Sequence, residues 1–169
     1  MRTANLTFYC FIIALIITPI TSLTASPSLS LKGISAVAVR IDHLPEFAKS
    51  DGVSEIALKQ GAEQQLAEAQ IKVVEYKDWE KTLGGSYLYI KIVPSRSYSG
   101  QKYVIFTEIE LYQSVILIKA QIEQNKIIHG NTWSAGKLMN CDSISVNTCL
   151  LNSLNQLVDI FIKDYNKVN

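Results

Sequence analysis

The sequence predicts an α+β fold, a two-layer sandwich in which a mainly antiparallel sheet of about five strands carries two helices on one face. Three observations lead to this prediction. An apolar segment near residue 34 is followed by helical spacing, several later segments alternate between apolar and polar residues, and the chain ends in an amphipathic stretch. The order strand, helix, several strands, helix is typical of a sheet with its helices on one side.

The first 25 residues have the layout of a secretory signal peptide. Arg2 precedes the apolar run Phe8–Ile17, Pro19 follows the run, and small or polar residues continue to Ala25. Because the run is about half the twenty residues that a membrane-spanning helix needs, we expect no stable membrane span after cleavage, a retained anchor being the alternative. We therefore predict a signal peptide at 1–25, a single domain at 26–169, and a periplasmic or secreted protein of a Gram-negative bacterium.

Composition excludes several classes of protein. The 169 residues include 48% hydrophobic and 18% charged side chains, which is unlike a disordered chain or a charge-rich coiled coil. The formal net charge is +1, and removal of the signal peptide takes away Arg2 and leaves acidic and basic side chains equal in number. With neither a net positive charge nor a basic patch, we expect no nucleic-acid partner.

The first half of the domain alternates strand, helix and strand. The apolar segment Ile34–Ile41 predicts a strand with both faces covered. Helical spacing predicts a helix over Val53–Ala69, with Asp51 accepting hydrogen bonds from its first free amides. Ile71–Tyr76 then reads as a short strand.

The second half is rich in strands. Alternation around Ile90 predicts a strand ended by Pro94, followed by a polar loop at 95–102. Tyr103–Ile118 predicts a long strand with a bulge or bend at Gln113–Ile118, and Ile127–Trp133 predicts another. On the long strand one face carries Ile105, Thr107, Ile109 and Leu111, and the other carries Phe106, Glu108, Glu110 and Tyr112.

The last helix and two cysteines close the domain. The helical stripe comprises Leu150, Leu154, Leu157, Val158, Phe161, Tyr165 and Val168. Cys141 and Cys149 remain after signal removal, an even number that suits an oxidising compartment, with two buried free thiols as the alternative. Eight residues of one helix rise about 12 Å, too far for a bridge, so a disulfide requires Cys141 in a loop folded back on the start of the helix.

Aromatic residues of the central strands form the most promising binding surface. Tyr87, Tyr89, Phe106 and Tyr112 are the predicted binding residues, and Tyr98 and Tyr103 lie in or beside their connecting loop. The basic residues Lys91, Arg96 and Lys102 lie nearby. Such a surface suits protein or glycan contacts, while the alternative is that the tyrosines simply favour strand formation.

Catalytic and metal sites have weaker support. Glu108 and Glu110 project from one face of a strand and are the only candidate acid/base pair, although a water-facing strand produces the same pattern. His43 and His129 are too few for a three-histidine zinc site, so we predict no metal and no cofactor. Gly130, Gly136 and Lys137 only approximate a phosphate-binding loop, because five residues separate the glycines, and we expect a turn there instead.

Several short motifs carry a family resemblance. They are Glu108-Ile109-Glu110-Leu111, Thr132-Trp133, Leu157-Val158-Asp159, Phe161, Asp164-Tyr165 and Val168-Asn169. Through them most of the chain after residue 25 resembles a family of small secreted bacterial proteins of unknown function. In element order alone it is also similar to the lipopolysaccharide-assembly lipoprotein and to the amino-terminal domain of the Tol translocation protein. The resemblance implies structural positions for Trp133, Phe161 and Tyr165 and no catalytic residue.

These observations favour a non-enzymatic exported protein that binds an envelope protein partner through its sheet face or edge strand. Two alternatives belong to other classes. One is an envelope glycan hydrolase using Glu108 and Glu110, and the other is a carrier of a small apolar ligand held between helices and sheet.

Overall fold

The computed structural model describes residues 27–116 and 127–169. The predicted signal peptide and residues 117–126, which include the end of the predicted strand Tyr103–Ile118, lie outside the described residues. The strands are β1 Ala36–Ile41, β2 Val73–Val74, β3 Gly85–Arg96, β4 Lys102–Ile116 and β5 Ile127–Asp142. The helices are α1 Glu46–Ser50, α2 Glu55–Glu68 and α3 Val146–Asn166, with short 3-10 helices at Pro27–Leu31, Tyr76–Lys81 and Ser143–Ser145.

The five strands form one mixed sheet in the order β2-β1-β3-β4-β5. β1 pairs in parallel with β2 and β3, whereas β3–β4 and β4–β5 are antiparallel and contain most of the paired residues. Helices α2 and α3 contact each other and pack on the same face of this sheet. The predicted α+β fold is thus confirmed. β1 and β2 are parallel because α2 crosses over between them, and the 3-10 helix Tyr76–Lys81 then leads the chain to β3 on the other side of β1.

The core lies between the sheet and the two long helices. The face of β4 predicted to be apolar, with Ile105, Thr107, Ile109 and Leu111, is fully buried there. The stripe of α3 supplies the opposite side through five buried residues, Leu150, Leu154, Leu157, Val158 and Phe161. The alternation of β4 and the helical period of α3 therefore identify two facing layers of the same core.

The start of α2 differs from the prediction. The helix begins at Glu55, and the Ser54 hydroxyl rather than Asp51 accepts the hydrogen bond of the Ala57 amide. Asp51 is engaged elsewhere, because its carboxylate accepts a hydrogen bond from the Tyr103 hydroxyl. Asp51, the residue that the local sequence favours as the cap, is therefore unavailable because it binds Tyr103, 52 residues away in the sequence.

Strand boundaries also depart from the predictions. The predicted strand Ile71–Tyr76 shrinks to the two residues of β2, and the chain then turns into the 3-10 helix Tyr76–Lys81. β3 continues through Pro94, which pairs with Ile105. The register between β4 and β5 shifts at Leu111/Tyr112, before the predicted bulge at Gln113–Ile118, and the unpaired residue there is Thr132 of β5.

β5 differs most from the sequence-based prediction. It runs for 16 residues, so the predicted turn over Gly130–Lys137 is wrong, and both glycines lie within the strand. The segment Gly130–Lys137 contains small residues that locally favour a turn. It is extended because it pairs with the long strand β4. A phosphate-binding loop is excluded because the segment is extended.

Cys141 and Cys149 form a disulfide with their Cα atoms 6.2 Å apart. Cys141 lies near the end of β5 and Cys149 in the first turn of α3, so the predicted loop position of Cys141 is wrong, although the bridge itself is confirmed. Such bridges persist in oxidising compartments, which indicates an exported protein. None of the helices described in 27–116 and 127–169 is long and apolar enough to cross a membrane.

Candidate functional site

The face of the sheet opposite α2 and α3 carries the predicted site residues. Strand register places Tyr87 beside Tyr112, Tyr89 beside Glu110 and Val93 beside Phe106. Because alternate residues of a strand share a face, all four predicted binding residues and both glutamates lie on this outer face. The 3-10 helix Tyr76–Lys81 packs over one end of it.

The tyrosines form a packed aromatic cluster. The rings of Tyr87 and Tyr112 stack with centroids 5.0 Å apart, and Trp79 and Tyr76 contact Tyr87 at 4.9 and 5.2 Å. Burial raises the pKa of Tyr87 to about 12, with a further contribution from the neighbouring tyrosines. Tyr87 is therefore half-buried between the sheet and the 3-10 helix, and its ring contacts help to hold the two together.

The two glutamates occupy different surroundings. Glu110 accepts hydrogen bonds from the Tyr112 hydroxyl at 3.1 Å and from the Asn131 amide at 3.3 Å. Glu108 faces Lys91 on one neighbouring strand and Gly136 on the other. Glu110 is thus held by two neighbouring side chains, whereas Glu108 lies between Lys91 and Gly136 in the strand register.

Beyond the tyrosines, the outer face carries an apolar row, defined by Val93, Val104, Phe106 and Leu138. Val93, Phe106 and Leu138 lie side by side on three neighbouring strands, and Val104 follows Phe106 along β4. The exposed fractions are 49% for Val93, 46% for Val104 and 67% for Leu138. The row is therefore a group of neighbouring apolar side chains that the rest of the described structure leaves exposed.

Gly136 shapes the apolar row. A Cβ atom at Gly136 would lie 3.1 Å from Cζ of Phe106, which is tighter than ordinary packing. The absence of a side chain therefore lets the Phe106 ring lie across β5. Sequence reasoning identified Phe106 but missed Val93, Val104 and Leu138, because only strand register shows that they are neighbours; the alternation of Val104 with Phe106 was the available signal.

Tyr103 does not belong to this surface. It lies on the buried face of β4, where its ring stacks on Phe47 and its hydroxyl donates to Asp51. The prediction that grouped it with the surface tyrosines is wrong, because it is one residue out of phase with Val104 and Phe106. Tyr98 is fully exposed in the β3–β4 loop, and Arg96 contacts Asp51 at 3.5 Å.

The histidines lie far apart in the sequence and have different partners. His43 is exposed, with Nδ1 3.4 Å from Glu55. His129 packs against Trp79 at 4.7 Å between ring centroids, and its Nε2 lies 3.6 Å from Glu80. Within the described part of the chain, no group of three His, Cys, Asp or Glu residues is placed to hold a metal ion.

Comparisons with known proteins find no matching protein-family model and no matching characterised protein. Among solved structures, a point variant of the PelC dodecamer from Paraburkholderia phytofirmans aligns with 14% identity over 75% of this chain and 87% of that chain, with a TM-score of 0.42. A second PelC dodecamer structure gives 12% identity, the same shares of each chain and 0.40.

A third solved structure, from Helicobacter pylori, is described as a homologue of a neuraminyllactose-binding hemagglutinin. It aligns with 13% identity over 79% of this chain and 84% of that chain, with a TM-score of 0.28. At these identities and TM-scores, the three likenesses carry no argument about function or assembly.

Proposed function

We propose that this chain is an exported, non-enzymatic binding module that holds a protein partner of the Gram-negative envelope on the outer face of its sheet, in the periplasm or after secretion. The apolar row carries the proposal, because its three aliphatic side chains remain about half exposed or more on a face that the long helices leave open. Phe106, braced over Gly136, provides the aromatic anchor that protein interfaces favour.

The polar surroundings of the row fit the same role. Lys91 and Glu108 lie opposite each other at the next register position, and Tyr89 and Glu110 follow. An apolar centre with a polar margin is the usual anatomy of a protein interface. We infer a partner segment with aliphatic or aromatic side chains at the centre of the contact and polar residues around them.

The two alternatives receive less support from this geometry. A glycan hydrolase would need both Glu108 and Glu110 directed at a substrate, whereas Glu110 is engaged by the Tyr112 hydroxyl and the Asn131 amide. A carrier with a ligand between helices and sheet would need space where the buried side chains of β4 and α3 already pack together.

Site-specific cross-linking in living cells tests the proposal. A photoreactive amino acid replaces Val104 in the exported chain, and the captured species are identified by mass spectrometry with and without the substitution Val93→Asp. We expect one envelope protein to be captured and this capture to fall about tenfold with Val93→Asp, because a charge would be desolvated in the contact.

A matched control carries Ile56→Asp on α2, at a side chain that is 71% exposed on the helix side. It adds the same charge and should leave capture unchanged. Capture that survives Val93→Asp, or that falls equally with Ile56→Asp, would show that the apolar row is not the binding surface.

A further inference from the structure

Within the described residues, β5 is a long edge strand that pairs with another strand on one side alone. β5 forms one edge of the sheet over 16 residues, whereas β2 at the other edge has two. Soluble proteins protect edge strands with prolines, bulges, covering segments or charged side chains. From Ser134 to Asp142, β5 contains no proline and pairs with β4 in unbroken register.

The one lysine of this segment does not protect the edge. Lys137 is drawn back to α3, where its Nζ donates to Gln156 Oε1 at 2.5 Å. The bulge of β5 lies earlier, at Thr132. The 3-10 helix Pro27–Leu31 contacts both β5 and the end of α3, where the Asn169 amide donates to the Leu31 carbonyl. Among the described residues, no other strand pairs with the free side of β5.

The segment is also complementary to itself. Two copies paired antiparallel about Leu138 would place Gly136 opposite Asn140 and Lys137 opposite Met139, so no like charges meet. The same arrangement places Ser134 opposite Asp142. Antiparallel pairing about a two-fold axis brings the same segment of both copies together, as closed symmetric dimers require.

Pairing at Leu138 would also extend the apolar row across the axis. Val93, Phe106 and Leu138 of one copy would continue into Leu138, Phe106 and Val93 of the other, which gives six apolar side chains at one level of a ten-stranded sheet. With strands about 4.8 Å apart, this row would be about 24 Å long. Leu138, the most exposed member of the row, would gain an apolar neighbour on its open side.

A cleft on the helix side supports the same contact. About 350 Å³ of space lies beside the edge, lined by residues that include Met139, Asn152 and Ser153. In the paired arrangement Met139 of a second copy, opposite Lys137, would lie next to this cleft.

We propose that two copies of this chain associate through the segment Ser134–Asp142 of β5, in an antiparallel two-fold pairing centred on Leu138. This contact goes beyond the proposed function, because it needs no other protein and leaves the apolar row accessible on the outer face.

The test uses the exported, disulfide-bonded protein purified alone. Sedimentation over a wide concentration range should show a monomer–dimer equilibrium. Leu138→Glu and Leu138→Lys should each raise the dissociation constant at least about tenfold, because each places like charges opposite one another. An equal mixture of the two variants should restore a dimer containing one copy of each, since opposite charges then meet at the axis.

Ile144→Glu is the matched control, because Ile144 is fully exposed just beyond the paired segment. It should dimerise as the wild type does. Hydrogen exchange of residues 134–142 in the wild-type protein gives an independent measure and should slow as concentration rises. A wild-type monomer at all concentrations, a dimer that persists in both single variants, or a mixture that stays monomeric would overturn the proposal.

Since purified protein is used, failure here is separable from failure of the envelope-partner proposal, which depends on capture at Val104 in cells.

Discussion

The substitution Tyr103→Phe tests the hydrogen bond that Tyr103 makes on the buried face of β4. The ring is fully buried and stacks on Phe47, and phenylalanine keeps both features. What is lost is the hydrogen bond from the hydroxyl to the Asp51 carboxylate. The experiment therefore isolates one polar contact within an apolar environment.

The expected cost follows from the state of Asp51. A hydrogen bond to a charged group contributes about 1.5 to 3 kcal/mol. The Asp51 side chain keeps 21% exposure and lies 3.5 Å from Arg96, so water and the guanidinium partly replace the lost donor. We expect the free energy of unfolding to fall by about 1.5 kcal/mol, at the lower end of that range.

Urea denaturation followed by circular dichroism measures this difference, with Tyr98→Phe as the control because Tyr98 is fully exposed. The contribution also has a pH signature. Burial, with the bond to Asp51, raises the pKa of Tyr103 from 10.0 to about 12, so its stabilisation is present below pH 10 and disappears as pH rises towards 12. A Tyr103→Phe variant as stable as wild type, or a Tyr98→Phe variant equally destabilised, would refute the assignment.

Three further predictions concern other parts of the fold. Replacing Cys141 and Cys149 together by alanine should lower the free energy of unfolding by about 2.5 kcal/mol, as loop closure over a separation of 8 residues predicts, measured by urea denaturation without reductant. Ser54→Ala should cost about 1 kcal/mol in the same assay through loss of the α2 cap, and an unchanged midpoint would contradict that role. The hydrogen bond from Lys167 holds the pKa of Asp164 below its ordinary value of 3.8. Wild type should therefore be more stable than Asp164→Asn above pH 3.8, and this difference should vanish as pH falls through the lower pKa of the folded protein. A stability difference that does not change with pH would contradict the role of the Asp164 carboxylate.

Periodicity made the principal layers predictable. The alternation of Ile105, Ile109 and Leu111 identified the buried face of β4, and the spacing of Leu150 and Phe161 identified the stripe of α3. Both patterns are strong because one side of each element is apolar over several turns or pleats. The disulfide was predictable from the even count of cysteines that remain after the predicted signal peptide is removed.

The extent of β5 was not predictable in the same way. Its residues around Gly130 and Gly136 have weak strand propensity, and only pairing with β4 keeps them extended. Cys141 was expected in a loop because bridged cysteines eight residues apart cannot share one helix, and a position at the end of a strand meets the same requirement. The buried position of Tyr103 was also missed. Adjacent residues of a strand point to opposite faces of the sheet, so Tyr103 is buried while Val104 is exposed.

The amino-acid sequence by itself determined the element order, the two apolar layers that form the core and the pair of cysteines that can join, because these follow from local period and composition. The tertiary structure decided the strand order, the long free edge of β5 and the meeting of Val93, Phe106 and Leu138 in one row. These features depend on register between strands distant in sequence, which no local pattern specifies, because the contacts that fix it form only when the sheet assembles.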